Sequence, residues 1–98
     1  MMWRSPKLLV AVRDLDCTFD FPHQCNGPSV ACHSNQLRDG KGKSIKAHDF
    51  RIAAGCPAAH YEIDQGKAFS KAERIEQWEA AHRKTLEALF LRGKLRVA

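Results

Sequence analysis

Ninety-eight residues make one small domain with a single modest core, and a 44% hydrophobic fraction excludes disorder as the default state. Sixteen Lys+Arg against 11 Asp+Glu give a net charge of +5 and a pI near 9.3, a mild bias toward polyanionic partners. No apolar run approaches the roughly 20 residues that a membrane span needs. The expectation is a cytoplasmic protein with no membrane partner, whose four cysteines are reduced thiols or metal ligands rather than two disulfides.

Ser5-Pro6 supplies an N-cap followed by proline at the first helical position, and Leu8, Leu9 and Val12 recur at helical spacing. A short packing helix from Pro6 to about Leu15 follows, a helix start rather than a signal peptide. Pro22 prevents helix between Cys17 and Cys25, leaving a turn or irregular knuckle, and Asn26-Gly27-Pro28 is the strongest turn signal in the chain. Ser29 to Cys32 reads as the first strand of a hairpin. The loop from Asn35 to His48 carries Arg38, Lys41, Lys43 and Lys46 around Gly40 and Gly42, and it is either a solvated connection or a flap that contacts phosphate at the mouth of a site. The apolar run from Phe50 to Ala54 returns the chain, with the strand itself over Arg51 to Ala54. Gly55-Cys56-Pro57 then turns it into a helix over about Ala58 to Gln65 that ends at Gly66. Ser70-Lys71-Ala72-Glu73 is a capping box opening a long helix. Ala72, Ile75, Trp78, Ala81 or His82, Leu86, Leu89 and Phe90 make its buried stripe, and Arg74, Glu76, Glu79, Arg83, Lys84 and Glu87 its wet side, until Gly93 closes it. The fold class is α+β in one domain, residues 1–98: a strand-loop-strand-helix core between a short N-terminal and a long C-terminal helix.

His60 and Asp64 stand one helical turn apart and project from one face, so both can grip one cation. His33, at the end of the first strand, would lie opposite them if the helix packs across the hairpin. Phosphodiester hydrolysis asks for such parts: a divalent cation on fixed N or O ligands with open positions, and a neutral imidazole that takes a proton from the attacking water near neutral pH. His33 fits the base. Asp49 could pin the loop near His33 and hold the ring's orientation, or be a plain strand-start residue. His48 is read as an exposed loop residue, and His23 and His82 as structural or surface residues. Cys17, Cys25 and Cys56 could give three sulfurs to a structural zinc, which needs a fourth ligand from Cys32 or His23; otherwise they are buried thiols.

These residues resemble the small phage and prophage family of HNH-like nucleases that includes YbcO. The matching pieces are Ala31-Cys32-His33-Ser34-Asn35, Gly40-Lys41-Gly42-Lys43, Lys46-Ala47-His48-Asp49 and, most specifically, Cys56-Pro57-Ala58-Ala59-His60-Tyr61-Glu62-Ile63-Asp64-Gln65-Gly66, with Trp78-Glu79-Ala80-Ala81-His82-Arg83-Lys84-Thr85 behind them. The likeness runs from Cys17 onward. It implies a ββα-metal (HNH-like) core and metal-dependent endonuclease action on DNA, with RNA as the other substrate to test. His33 and Asp49 would then be catalytic and His60 and Asp64 would bind Mg²⁺, Mn²⁺, Ni²⁺ or Zn²⁺. Arg38, Lys41, Lys43 and Lys46 would meet nucleic acid, and the setting would be the cytoplasm of a bacterial host. The chain departs from the family at Ala59, where a zinc-binding cysteine is expected, at Cys32, where broader HNH enzymes carry a metal ligand, and at Asp49, which replaces the name-giving asparagine. The alternative is a non-catalytic nucleic-acid-binding or zinc-knuckle module that keeps the fold.

Overall fold

The computed structural model describes residues 2–97, and it is a small α+β fold of three helices and a two-stranded antiparallel sheet. Helix α1 (Pro6–Arg13) starts as its cap dictates, with the Ser5 hydroxyl accepting from Leu8 N–H at 3.2 Å. It stops short of the expected Leu15, because the chain turns at Asp14 and tucks Leu15 into the core. Strand β1 (Val30–His33) pairs with β2 (Ile52–Gly55) in the register Val30–Gly55, Ala31–Ala54, Cys32–Ala53 and His33–Ile52. The return strand therefore begins one residue later than the sequence suggested. Phe50 stays half exposed and Arg51 is drawn into ion pairs outside the ladder.

Helix α2 (Pro57–Asp64) follows, capped by the Cys56 sulfur, which accepts from Ala59 N–H at 3.4 Å. Its terminal Gly66 bonds to Tyr61 C=O at 2.9 Å, and a Cβ there would sit 2.7 Å from Glu62 Cα. Close backbone approach, not a left-handed φ, is what demands glycine. Helix α3 (Lys71–Leu91) opens on the capping box in full: Ser70 Oγ accepts from Glu73 N–H at 3.1 Å and Glu73 Oε1 from Ser70 N–H at 2.8 Å. No helix is long and apolar enough to cross a membrane among the described residues.

Strand alternation splits the interior into two clusters. Cys32 and Ala53 face Phe19, Phe21, Ala59, Ile63 and Trp78, whereas Ile52 and Ala54 face Leu8, Val12, Leu15 and Leu89. Helix α3 serves both clusters because it crosses the free edge of β2. There His82 Nδ1 donates to Ile52 C=O at 2.6 Å and Thr85 Oγ1 accepts from Ala54 N–H at 2.9 Å, while Thr18 N–H reaches Ala54 C=O at 2.9 Å. The edge that a two-stranded sheet would leave unpaired is thereby satisfied. This explains why the buried stripe runs Trp78, Ala81, His82, Thr85 and Leu89, while Ala72 and Phe90, expected inside, are exposed and Ile75 and Leu86 only half-buried. Thr85→Val keeps the shape but strands the Ala54 N–H, and should cost about 1–3 kcal/mol in a urea melt.

Glu79, assigned to the wet side, is instead a hub. It takes both terminal nitrogens of Arg51, the Gln36 amide at 2.6 Å and Arg38 at 3.0 Å, while the Arg51 guanidinium lies 4.8 Å over the Trp78 ring. Burial alone would raise its carboxyl, but Arg51, Gln36 and Arg38 outweigh it and hold the pKa at about 2 against an ordinary 4.5. A carboxyl depressed on folding adds stability that is complete above its unfolded pKa and vanishes as pH falls through the folded one. Glu79→Gln should therefore lose about 2 kcal/mol at neutral pH, allowing for solvent screening. Its thermal unfolding should also be less steeply pH-dependent than the parent's between pH 4.5 and about 2.

Candidate functional site

The knuckle between α1 and β1 meets the start of α2, and there the Cys17, Cys25 and Cys56 sulfurs and His23 Nε2 all lie within 4.8 Å of one another. His23 Nε2 is 3.5 Å from both Cys17 Sγ and Cys25 Sγ. Tetrahedral bonds of about 2.3 Å to sulfur and 2.0–2.1 Å to nitrogen require S–N edges of about 3.5 Å, so the spacing fits a metal ion. His23 Nδ1 bonds to Phe21 C=O at 2.7 Å, which fixes the tautomer with Nε2 free to ligate. Burial would keep the Cys56 thiol protonated, but N–H donors from Ala59 and Asn26 and contacts with Cys25 and Cys17 bring its pKa down to about 7. These four residues could hold a metal ion such as zinc. Of the two candidates for the fourth ligand, His23 joins the three cysteines and Cys32 does not. Cys32 is buried beneath α2, where loss of solvent and the nearby Asp64 charge push its thiol up to about 12.

His33 and Asp49 come together. Their Nε2 and Oδ1 are 2.7 Å apart, with Asp49 fully buried and the His33 side chain 13% exposed. Asp49 acts on the imidazole itself and not on the backbone near it. The other Asp49 oxygen accepts from Ser5 N–H at 2.7 Å, and Arg4 Nη1 is 3.0 Å from Oδ1, so the chain before α1 clamps the carboxylate. Burial alone would raise the Asp49 pKa, yet His33, the Ser5 N–H and Arg4 hold it below the ordinary carboxylate value. The Nε2–H donates to Asp49, which leaves Nδ1 as the free acceptor. His48, expected to be exposed, is half-buried: its Nδ1 accepts from Trp3 N–H at 2.9 Å and its ring stacks on Phe50.

On α2, His60 Nε2 and Asp64 Oδ2 are 2.8 Å apart, both side chains about one-third exposed, and Asn35 Nδ2 donates to Asp64 Oδ1 at 2.6 Å. The Asp64 partnership raises the His60 pKa. For Asp64, burial is outweighed by His60 and Asn35, and its pKa falls. By strand alternation His33 shares its face with Ile52, whereas α2 packs over the face of Cys32 and Ala53. Accordingly His33, His60 and Asp64 do not converge as one ligand set, and the Cys17, His23, Cys25 and Cys56 group is the only such convergence of three or more ligands among the described residues.

The loop between the strands is less solvated than its composition implied. Ser34, Asp39, Ala47 and Asp49 are buried, Ser34 Oγ donates to Asp39 at 2.5 Å, and Arg51 Nε is 2.9 Å from the other Asp39 oxygen. Its tip is open, where Gly42 and Ile45 close a turn around Lys43 and Ser44, the latter at φ 60°, and so are Asn35, Leu37 and Arg38. Lys43 and Lys46 are exposed, Lys41 is half-buried with its Nζ on Gly42 C=O, and Arg38 gives part of its charge to Glu79.

Sequence reasoning left His23 as one of two options and missed Arg4 altogether. Cys17, His23 and Cys25 follow one another around Pro22, which was the available signal for the first, whereas nothing local marks the contact of Arg4 with a residue 45 positions away. No family model matches the chain, nor does any curated protein or solved structure.

Proposed function

We propose that this protein is a metal-dependent HNH-like endonuclease of the phage or prophage type that hydrolyses phosphodiester bonds in DNA. The observation that carries the reading is the His33–Asp49 pair, an imidazole with one nitrogen committed to a buried carboxylate and the other free. His33 Nδ1 accepts the proton of a water whose oxygen bonds to phosphorus as the bond from phosphorus to the leaving oxygen breaks. His60 and Asp64, an N and an O donor at one turn's spacing, would hold the divalent cation, which would supply neutralisation of charge on the phosphate and leaving oxygen. Because His33 lies on the other face of the hairpin, the base and the cation site are separate elements of this reading and are tested separately. Zinc held by Cys17, His23, Cys25 and Cys56 would serve structure, tying the N-terminal third of the chain to α2. Lys43, Lys46, Lys41 and Arg38 contribute phosphate contacts that carry affinity without sequence information.

The second reading, a non-catalytic zinc-knuckle module that binds nucleic acid, draws on the contrast between four converging ligands at the knuckle and two on α2. Supercoiled plasmid incubated with Mg²⁺, Mn²⁺ or Ni²⁺, with EDTA as control, separates them: the enzyme nicks, and the module binds in a salt-sensitive way without cutting. Calorimetric titration of Asp64→Asn should show at least about tenfold weaker binding of Mn²⁺ together with slower nicking. Equal affinities in parent and variant would remove α2 from the metal site.

A further inference from the structure

Beside Asp64 opens a groove of about 760 Å³ between the loop after β1, the end of α2 and the first turns of α3. Its accessible apolar floor is Leu37, which is 80% exposed, and the half-buried Ile75, whereas Ile63 and Trp78 line it but are buried. Lys41, Lys71, Arg74 and Arg38 also line it, and Asp64 is the one acidic side chain among the lining residues. Lys71, Arg74 and Lys41 make no ion pair among the described residues, so three cations remain available around an apolar base.

We infer that this groove takes an unpaired nucleic-acid strand, its bases on the floor and its phosphates on the three cations, leading the chain to Asp64. The inference rests on the proposed nuclease reading for the role of Asp64 and adds the substrate class. A duplex keeps its bases stacked inside and offers only phosphates, which would leave the apolar floor unused; a single strand offers both surfaces at once. An acidic peptide matches the charge but has no flat apolar groups for the floor.

The experiment is fluorescence-anisotropy titration of the full chain, in EDTA so that cleavage plays no part. The probes are a labelled single-stranded oligonucleotide and the same sequence as duplex, with polyglutamate as competitor, across a salt series. The expected result is at least about tenfold tighter binding of the single strand. In Lys71→Gln/Arg74→Gln the salt slope for single-strand binding should shrink by about 1.4, the counterion release of two phosphate contacts at 0.7 each. Equal binding of duplex and single strand, an unchanged slope in the double variant, displacement by polyglutamate at matched charge, or no binding at all would each overturn the inference. The nuclease reading is scored separately by plasmid nicking. Nicking that persists at the parental rate in the double variant leaves the enzyme standing and removes the groove, and tight groove binding without nicking does the reverse.

Discussion

A metal ion held by Cys17, His23, Cys25 and Cys56 should carry most of the protein's stability, so that stripping it unfolds most of the chain. The chain from Asp16 to Ser29 forms no helix or strand, and it reaches the rest through Thr18 on β2, the packing of Phe19 and Phe21, Asn26 Oδ1 on the Ala58 N–H, the Asp20–Lys84 ion pair, and the cluster of Cys17, His23 and Cys25 against Cys56. A structural zinc in such a site contributes about 10–16 kcal/mol of apparent binding free energy, comparable with the entire 5–15 kcal/mol stability of a typical domain. The purified protein is therefore expected to carry close to one zinc per chain by elemental analysis, and chelation should abolish its cooperative thermal transition. Cys25→Ser is the cleanest single test, because Cys25 is exposed and its replacement disturbs little packing. It should lower the midpoint sharply and weaken the thiolate-to-metal absorption of the Co²⁺-substituted protein. A chain that purifies without metal and melts identically in EDTA would show that these are four unligated side chains.

Much of this architecture was legible because caps and turns are local chemistry. Ser5-Pro6, Ser70 with Glu73, and Gly66 each act through neighbours within one turn, and each sits where the sequence put it. Hairpin and helix order followed from the same signals. The errors came where one side chain answers to a distant backbone. Thr85 reads as polar, yet it is buried because Ala54 N–H needs an acceptor; Glu79 reads as solvated, yet Arg51 and Arg38 come to it across the fold. The site divides the same way. Spacing along α2 was enough to set His60 beside Asp64. That Asp49 reaches the imidazole of His33, and that Arg4 and Ser5 close behind it, depends on how a 15-residue connection folds back, which no local periodicity encodes.

His33→Ala should reduce plasmid nicking by about 10²–10⁴-fold, the usual contribution of a positioned general base, and should also cost some stability, because it takes one partner from the buried Asp49 carboxylate. Asp49 acts differently. Its carboxylate fixes which nitrogen of His33 carries the proton and also anchors the Ser5 N–H and Arg4, so Asp49→Asn removes the charge that holds the tautomer while keeping the size of the side chain. Cleavage should fall about 10–100-fold, and the loss should sit in the rate of the chemical step at saturating DNA rather than in DNA affinity. A merely structural Asp49 would instead lower stability and leave the rate of the remaining folded protein unchanged. Arg4→Ala supplies the control for the clamp: it leaves the Asp49–His33 contact in place, so it should cost stability and much less rate. If His33→Ala and Asp49→Asn both fold and nick at the parental rate, proton transfer does not pass through this pair, and the zinc-knuckle module becomes the better account of the molecule.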